Sequence, residues 1–198
     1  MNDDRELRGW SLVEPPVVRG PQSPRTLTLE VLSRPLVRES LELGISREHD
    51  VPAHEAALVA ARHAVRAVAA AVLAPYVVDG VALDVEADQL GVDLDLALVP
   101  RWTWLGRLGS RDDVAPEELG DLIALLLDPV LDGARAVAGS GAVDLVDGVL
   151  RSEAERLRAA GAVTSAGDVE RLLAVVSAAL SDEGWAQVEL TVAVPASA

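Results

Sequence analysis

Apolar positions crowd one long stretch of the chain, residues 56–74, where Ala, Val and Leu are interrupted only by Arg62, His63 and Arg66. At about 100° per residue, Glu55, Arg62 and Arg66 fall within an arc of about 40°, with His63 further round. That spacing predicts an amphipathic helix with a narrow polar stripe, opened by Pro52 and closed at about Ala74 by Pro75. A membrane-spanning helix needs about 20 predominantly apolar residues, and the charged interruptions favour a core helix of a soluble domain instead.

The other segments follow from shorter patterns. "TLTLEVL" alternates like a strand, yet Thr28 can cap a helix and Pro35 can open a further turn. A helix over about 29–43, ended by Gly44, is the favoured outcome. "DGVALD" at 79–84 predicts a turn and connector. Residues 90–105 predict a hairpin whose turn lies at 95–99 or at Pro100, because Val92, Leu94, Leu96 and Leu98 alternate with polar or small positions. Helices are predicted from about 116 with a kink at Pro129, over about 142–160 and over about 167–181. The tail "WAQVELTVAV", 185–194, alternates and predicts a terminal strand. Residues 1–25, rich in Pro and Gly, predict an irregular arm with a short extended piece at Trp10–Val13. The expected architecture is mainly α, a single helical domain over 26–198 with a small antiparallel β component.

Composition narrows the chemistry. The 198 residues carry a formal net charge of −15, and all 17 basic residues are Arg. The charge is uneven. Residues 1–66 hold nine Arg against ten acids, whereas residues 67–198 hold eight Arg against 22 acids. No basic patch of the size that displaces counterions from nucleic acid is visible, and anionic membrane surfaces are disfavoured. Without Lys there is no Schiff-base or phosphate-loop lysine. Without Cys there is no thiol nucleophile, disulfide, thiolate zinc site or cysteine-held cluster. "MNDDRELRGW" lacks the apolar stretch of a signal peptide, so a cytoplasmic protein is expected.

Candidate chemistry is sparse. His49, His54 and His63 lie close in sequence, but His54 and His63 fall about 180° apart on an ideal helix and cannot chelate one ion from it. No metal and no cofactor is expected. The acid pairs Asp93/Asp95, Asp112/Asp113, Glu117/Glu118 and Glu153/Glu155 fall on loops, helix starts or solvent faces, where a solvated role is expected over catalysis. The local oddity is "DLALVPRWTWLGR". In a chain without Phe, Trp102 and Trp104 share one strand face between Arg101 and Arg107. That face either packs on the long helix, the favoured arrangement, or walls a pocket for a ligand that Arg101 would contact.

Taken in order, "LTLEVLSRPLVRESLELG", "AAAVLAPYVVDGVALDVEADQLGVDLD", "WTWLG" and "LIALLLDPVLDGARAVAGSGAVDLVDGVLRSEAERL" resemble the FhuF-like ferric-siderophore reductase family over about residues 27–180. The resemblance is one of segment order and spacing. The family's [2Fe–2S] cysteines have no counterpart here, and none of its ligand residues carries over. The resemblance implies a helical fold with a small hairpin and a ligand cleft, without cluster-based ferric reduction. The leading expectation is a protein that binds a siderophore or a related metabolite. Its pocket would lie between the hairpin and the stripe of the long helix, walled by Trp102 and Trp104, with Arg66, Arg101, His63 and Tyr76 as polar contacts. A second expectation is a non-redox natural-product enzyme of cyclase or isomerase type, drawing on His63, Arg66 or Tyr76. A third is a self-associating or partner-binding scaffold, with "VELTVAV" as a pairing edge for a homodimer.

Overall fold

The computed structural model describes residues 7–106, 109–111 and 114–181. At its centre is one continuous helical rod: α3, Ala53–Val68, then a single π-helical turn, Ala69–Leu73, then α4, Ala74–Asp79. Pro75 does not close the rod as expected. Proline lacks the N–H that would donate to the carbonyl four residues back, at Ala71. The chain widens into a π turn at that point and continues, a recognised way for a helix to absorb such a defect. It ends at Gly80, whose φ of 68° is the left-handed conformation glycine adopts without penalty.

Every residue from Ala67 to Val78 is buried. The small side chains allow neighbouring elements to approach the rod on all sides. By length and composition Ala53–Asp79 could cross a membrane, but 72% of its most apolar window is buried inside this fold. The helices α5 (Pro116–Leu127), α6 (Asp132–Ala138), α7 (Gly141–Ala159) and α8 (Ala166–Leu180) complete the helical side. Pro129 produces a full break rather than a kink, a 3-10 turn over Asp128–Val130 that separates α5 from α6. Gly120 lets α5 sit directly on α8, since a Cβ there would stand 2.9 Å from the Leu172 carbonyl oxygen.

The sheet side is a four-stranded mixed sheet. It comprises β1 (Val17–Arg19), β2 (Thr26–Thr28), β4 (Leu90–Leu94) and β5 (Pro100–Leu105), in the order β1-β5-β4-β2. The expected hairpin is β4–β5, and its turn lies at 95–99. The Asp95 carboxylate accepts from the backbone N–H groups of Ala97 and Val99 at 2.8 and 3.0 Å, so it organises the turn. A separate two-stranded ribbon pairs β3 (Ala82–Asp84), where a connector was expected, with β6 (Gly109–Arg111). The protein is therefore mainly α with a minor β component.

Two further expectations are corrected. "TLTLEVL" is both of its readings in succession. Thr26–Thr28 pairs with β4, and the Thr28 hydroxyl then accepts from the Val31 N–H to cap α1, Leu29–Leu32. The predicted single helix over 29–43 is split, with α2 running from Pro35 to His49 straight through Gly44. Gly44 serves close packing instead of termination: a Cβ there would lie 2.6 Å from Leu98 Cδ1 at the hairpin turn.

The segment expected to be an irregular arm is built into the core. Arg8–Leu12 forms a 3-10 turn in which Trp10 is buried, not extended, and Leu7, Trp10 and Val13 join the main apolar cluster. The Asp79 carboxylate accepts the backbone N–H groups of Arg8 and Gly9 at 3.2 and 2.8 Å. The chain then enters the sheet as β1, parallel to β5. The expected strand at 185–194, with its pairing edge, lies outside the described residues.

Candidate functional site

Strand alternation decides where the Trp pair points. Thr103 and Leu105 are fully buried, in register with Val92 and Leu90, and these four line the face turned to the interior. Trp102 and Trp104, one position out of phase, therefore lie on the opposite, outer face of the sheet. There Trp102 is paired with Asp93, and Trp104 donates its indole N–H to the Gly20 carbonyl at 2.9 Å. Neither expected arrangement holds. The indoles do not pack on the long helix, and they do not wall a pocket between hairpin and helix. Trp104 instead borders a shallow depression with Arg19, Gly20, Pro21, Gln22, Gln89 and Gly106.

A cleft of about 470 Å³ does lie between the hairpin and the polar stripe of α3. Three stretches of chain meet there. His63 and Arg66 come from α3, Val99, Pro100 and Arg101 from the hairpin, and Glu14, Pro15 and Pro16 from the segment leading into β1. Of the expected site residues, His63, Arg66 and Arg101 line it. Arg101 also reaches the Trp pair, with its guanidinium carbon 4.6 Å from the Trp102 ring centroid. Tyr76 is remote. It is buried in α4, about ten residues and roughly 15 Å further along the rod than Arg66. Burial first, and then the Asp168 and Glu117 carboxylates, hold its hydroxyl pKa above the ordinary tyrosine value.

The chemistry of the cleft is set by its charges. Burial, the largest cause, and then the neighbouring Arg66, Arg62 and His49 push the His63 pKa down to about 4. The imidazole is consequently neutral at physiological pH. Its Nδ1 is buried without a hydrogen-bond partner. The ring proton is then better placed on Nε2, where water or a ligand can accept it. Arg66 and Arg101 make no ion pair with any described carboxylate, and the same is true of Arg62. Arg62 and Arg66 stand at i and i+4 on one helix, where like charges repel by a few tenths of a kcal/mol. In so acidic a chain, this is a cationic ridge without a direct ion pair to a described carboxylate. On its far side Arg62 and Arg66 face Asp144, Leu145, Ser152 and Glu153 of α7 across a second groove of about 530 Å³.

Glu14, Pro15 and Pro16 were missed as cleft residues. They lie in the segment taken for an irregular arm, and nothing local in "VEPPVV" announces that β1 folds back beside β5. Asp112/Asp113 lie outside the described residues, and each of the other three acid pairs has at least one member with a structural partner, Glu117 standing 3.4 Å from Arg171. Asp93 accepts from the Ser23 hydroxyl at 2.7 Å, and Glu153 pairs with Arg156. Among the described residues, no group of three or more His, Asp or Glu is placed to hold a metal ion.

Fold and cleft together define a mainly α domain whose central helix carries a cationic stripe into a groove closed by a β-hairpin. Against known proteins the chain matches no family model, no curated protein and no solved structure.

Proposed function

We propose that this protein binds a small metabolite, a siderophore or a related compound, in the cleft between the β4–β5 turn, α3 and the Glu14–Pro16 segment. The observation that carries the reading is the convergence of Arg66, His63 and Arg101. His63 and Arg66 from the central helix meet Arg101 from the distant hairpin in one concavity, and neither guanidinium group forms an ion pair with a described carboxylate. Arginine forks suit oxygen anions and polarised carbonyls. Pro15, Pro16, Val99 and Pro100 supply apolar wall, as small-molecule sites commonly require. The net charge of −15 does not oppose this, because exposed charges beyond about 8 Å are largely screened at physiological ionic strength. The siderophore class comes from the segment order alone. With no cysteine in the chain, reduction through a cysteine-held cluster is not part of the proposal.

The test is a titration with ferric and metal-free hydroxamate, catecholate and citrate-based siderophores, read by tryptophan fluorescence. Arg101 touches both the cleft and Trp102, so occupancy should change the emission. Saturable binding, weakened at least tenfold in Arg66→Ala and Arg101→Ala, is expected. No saturable change with any of these ligands would overturn the proposal.

A further inference from the structure

We infer that the group this cleft recognises is a single carboxylate on a largely apolar body, seated between Arg66 and Arg101 with His63 as a third donor. The inference rests on the reading of this cleft as the binding site and narrows its ligand class. The fixed charges on its walls are two guanidinium groups and one carboxylate, Glu14. His63 adds no charge at neutral pH, since burial and the surrounding Arg62, Arg66 and His49 disfavour its protonation. The walls therefore carry a net charge of about +1, which complements a monoanion. A dianion such as a phosphate monoester would be overcharged for the site and would meet Glu14.

The donor set has the same preference. Two Arg forks and a neutral Nε2–H offer only donors, and a carboxylate offers only acceptors. An amide of the same shape is uncharged and has one acceptor oxygen in place of two, so it satisfies fewer of these donors. The remaining walls, Pro15, Pro16, Val99 and Pro100, have no side-chain polar group and suit an alkyl or aromatic body. Glu14 is assigned as the specificity-determining residue, admitting one negative charge and repelling a second.

The experiment holds the body constant and changes the head. Octanoate, octanamide and octyl phosphate, each below its micellar concentration, are titrated calorimetrically into the full chain at pH 7.5. Amide chemical shifts of His63, Val99 and Arg101 report whether the cleft is the site. Octanoate is expected to bind at least tenfold more tightly than octanamide, and more tightly than octyl phosphate. Arg66→Gln and Arg101→Gln, checked for folding by circular dichroism, should each weaken octanoate at least fivefold. Glu14→Gln should improve octyl phosphate more than octanoate. Equal binding of octanoate and octanamide, or tighter binding of octyl phosphate, overturns the inference while leaving the cleft as a binding site. If a siderophore shifts the cleft residues and octanoate does not, the inference again falls alone. If no probe or siderophore shifts them, both proposals fall.

Discussion

The indole N–H of Trp10 donates to the Ala71 carbonyl oxygen at 3.5 Å, inside the π turn of the central rod and one helical turn before Pro75, which has no N–H of its own. Trp10 thus ties its turn to a carbonyl sixty-one residues further along the chain. The fit is close: a Cβ on Gly9 would stand 2.5 Å from the Ala74 carbonyl oxygen, so only glycine lets this turn approach the rod.

Trp10 should therefore be a major source of stability. Trp10→Ala is expected to lose about 3–5 kcal/mol, the cost of emptying a large aromatic site. Trp10→Phe in addition to Pro75→Ala should be less damaging than the single changes imply, because restoring the backbone N–H removes the need for an indole donor. Urea denaturation of the two single variants and the double variant measures this coupling. Strict additivity would show that the indole–carbonyl contact contributes nothing.

The two faces of β5 should respond differently to truncation. Leu105 is completely buried, and Leu105→Ala is expected to cost about 3–5 kcal/mol. Trp102→Ala, on the outer face, should cost no more than about 1–2 kcal/mol despite removing a larger side chain. Denaturation midpoints for the two variants decide this. A larger loss for Trp102 than for Leu105 would put the indole in the core after all.

His63 sets a pH dependence whose sign follows from its lowered pKa. The unfolded chain takes up a proton at about 6.5, whereas the folded chain resists until about 4. Between those values the unfolded state binds more protons, so stability falls as pH drops through the window and is constant above it. The contribution is about 3 kcal/mol at most. His63→Gln should flatten the stability profile between pH 4 and 6.5. An imidazole titration midpoint near 6.5 by NMR would remove both the slope and the uncharged-donor role.

Much of the helical framework was legible because it is written in local periodicity. The apolar run of the rod, the start of α5 at Pro116, and the extents of α7 and α8 depend on neighbours within one or two turns. The β4–β5 hairpin was legible from its alternation, and the Asp95 turn agrees with that pattern. Punctuation was misread wherever distant chain supplies what a proline or glycine withholds. Pro75 reads locally as a stop, but the π turn, packed against Trp10, carries the helix past it. Gly44 reads locally as a stop, but it makes room for Leu98.

The site was legible by half. His63, Arg66 and Arg101 could be picked out as polar groups on an apolar helix and beside a turn. That Trp102 and Trp104 share a face was also plain from the strand period. Which face the interior would cover was not, because either phase of a strand can be buried until a partner layer arrives. Thr103 and Leu105, with less apolar area than the two indoles, occupy the inner face.

By itself, then, the sequence determined a mainly α chain, rich in Ala, Val and Leu, with a cationic stripe on its central helix and no thiol chemistry. These properties follow from composition and from contacts a few residues apart. Only the tertiary structure decided that the Arg8–Leu12 turn would pack on the rod at Ala71, that Trp102 and Trp104 would face outward, and that Glu14, Pro15 and Pro16 would line the cleft with His63 and Arg66. Each joins segments roughly fifty or more residues apart, and no local pattern carries the loop closures that bring such segments together.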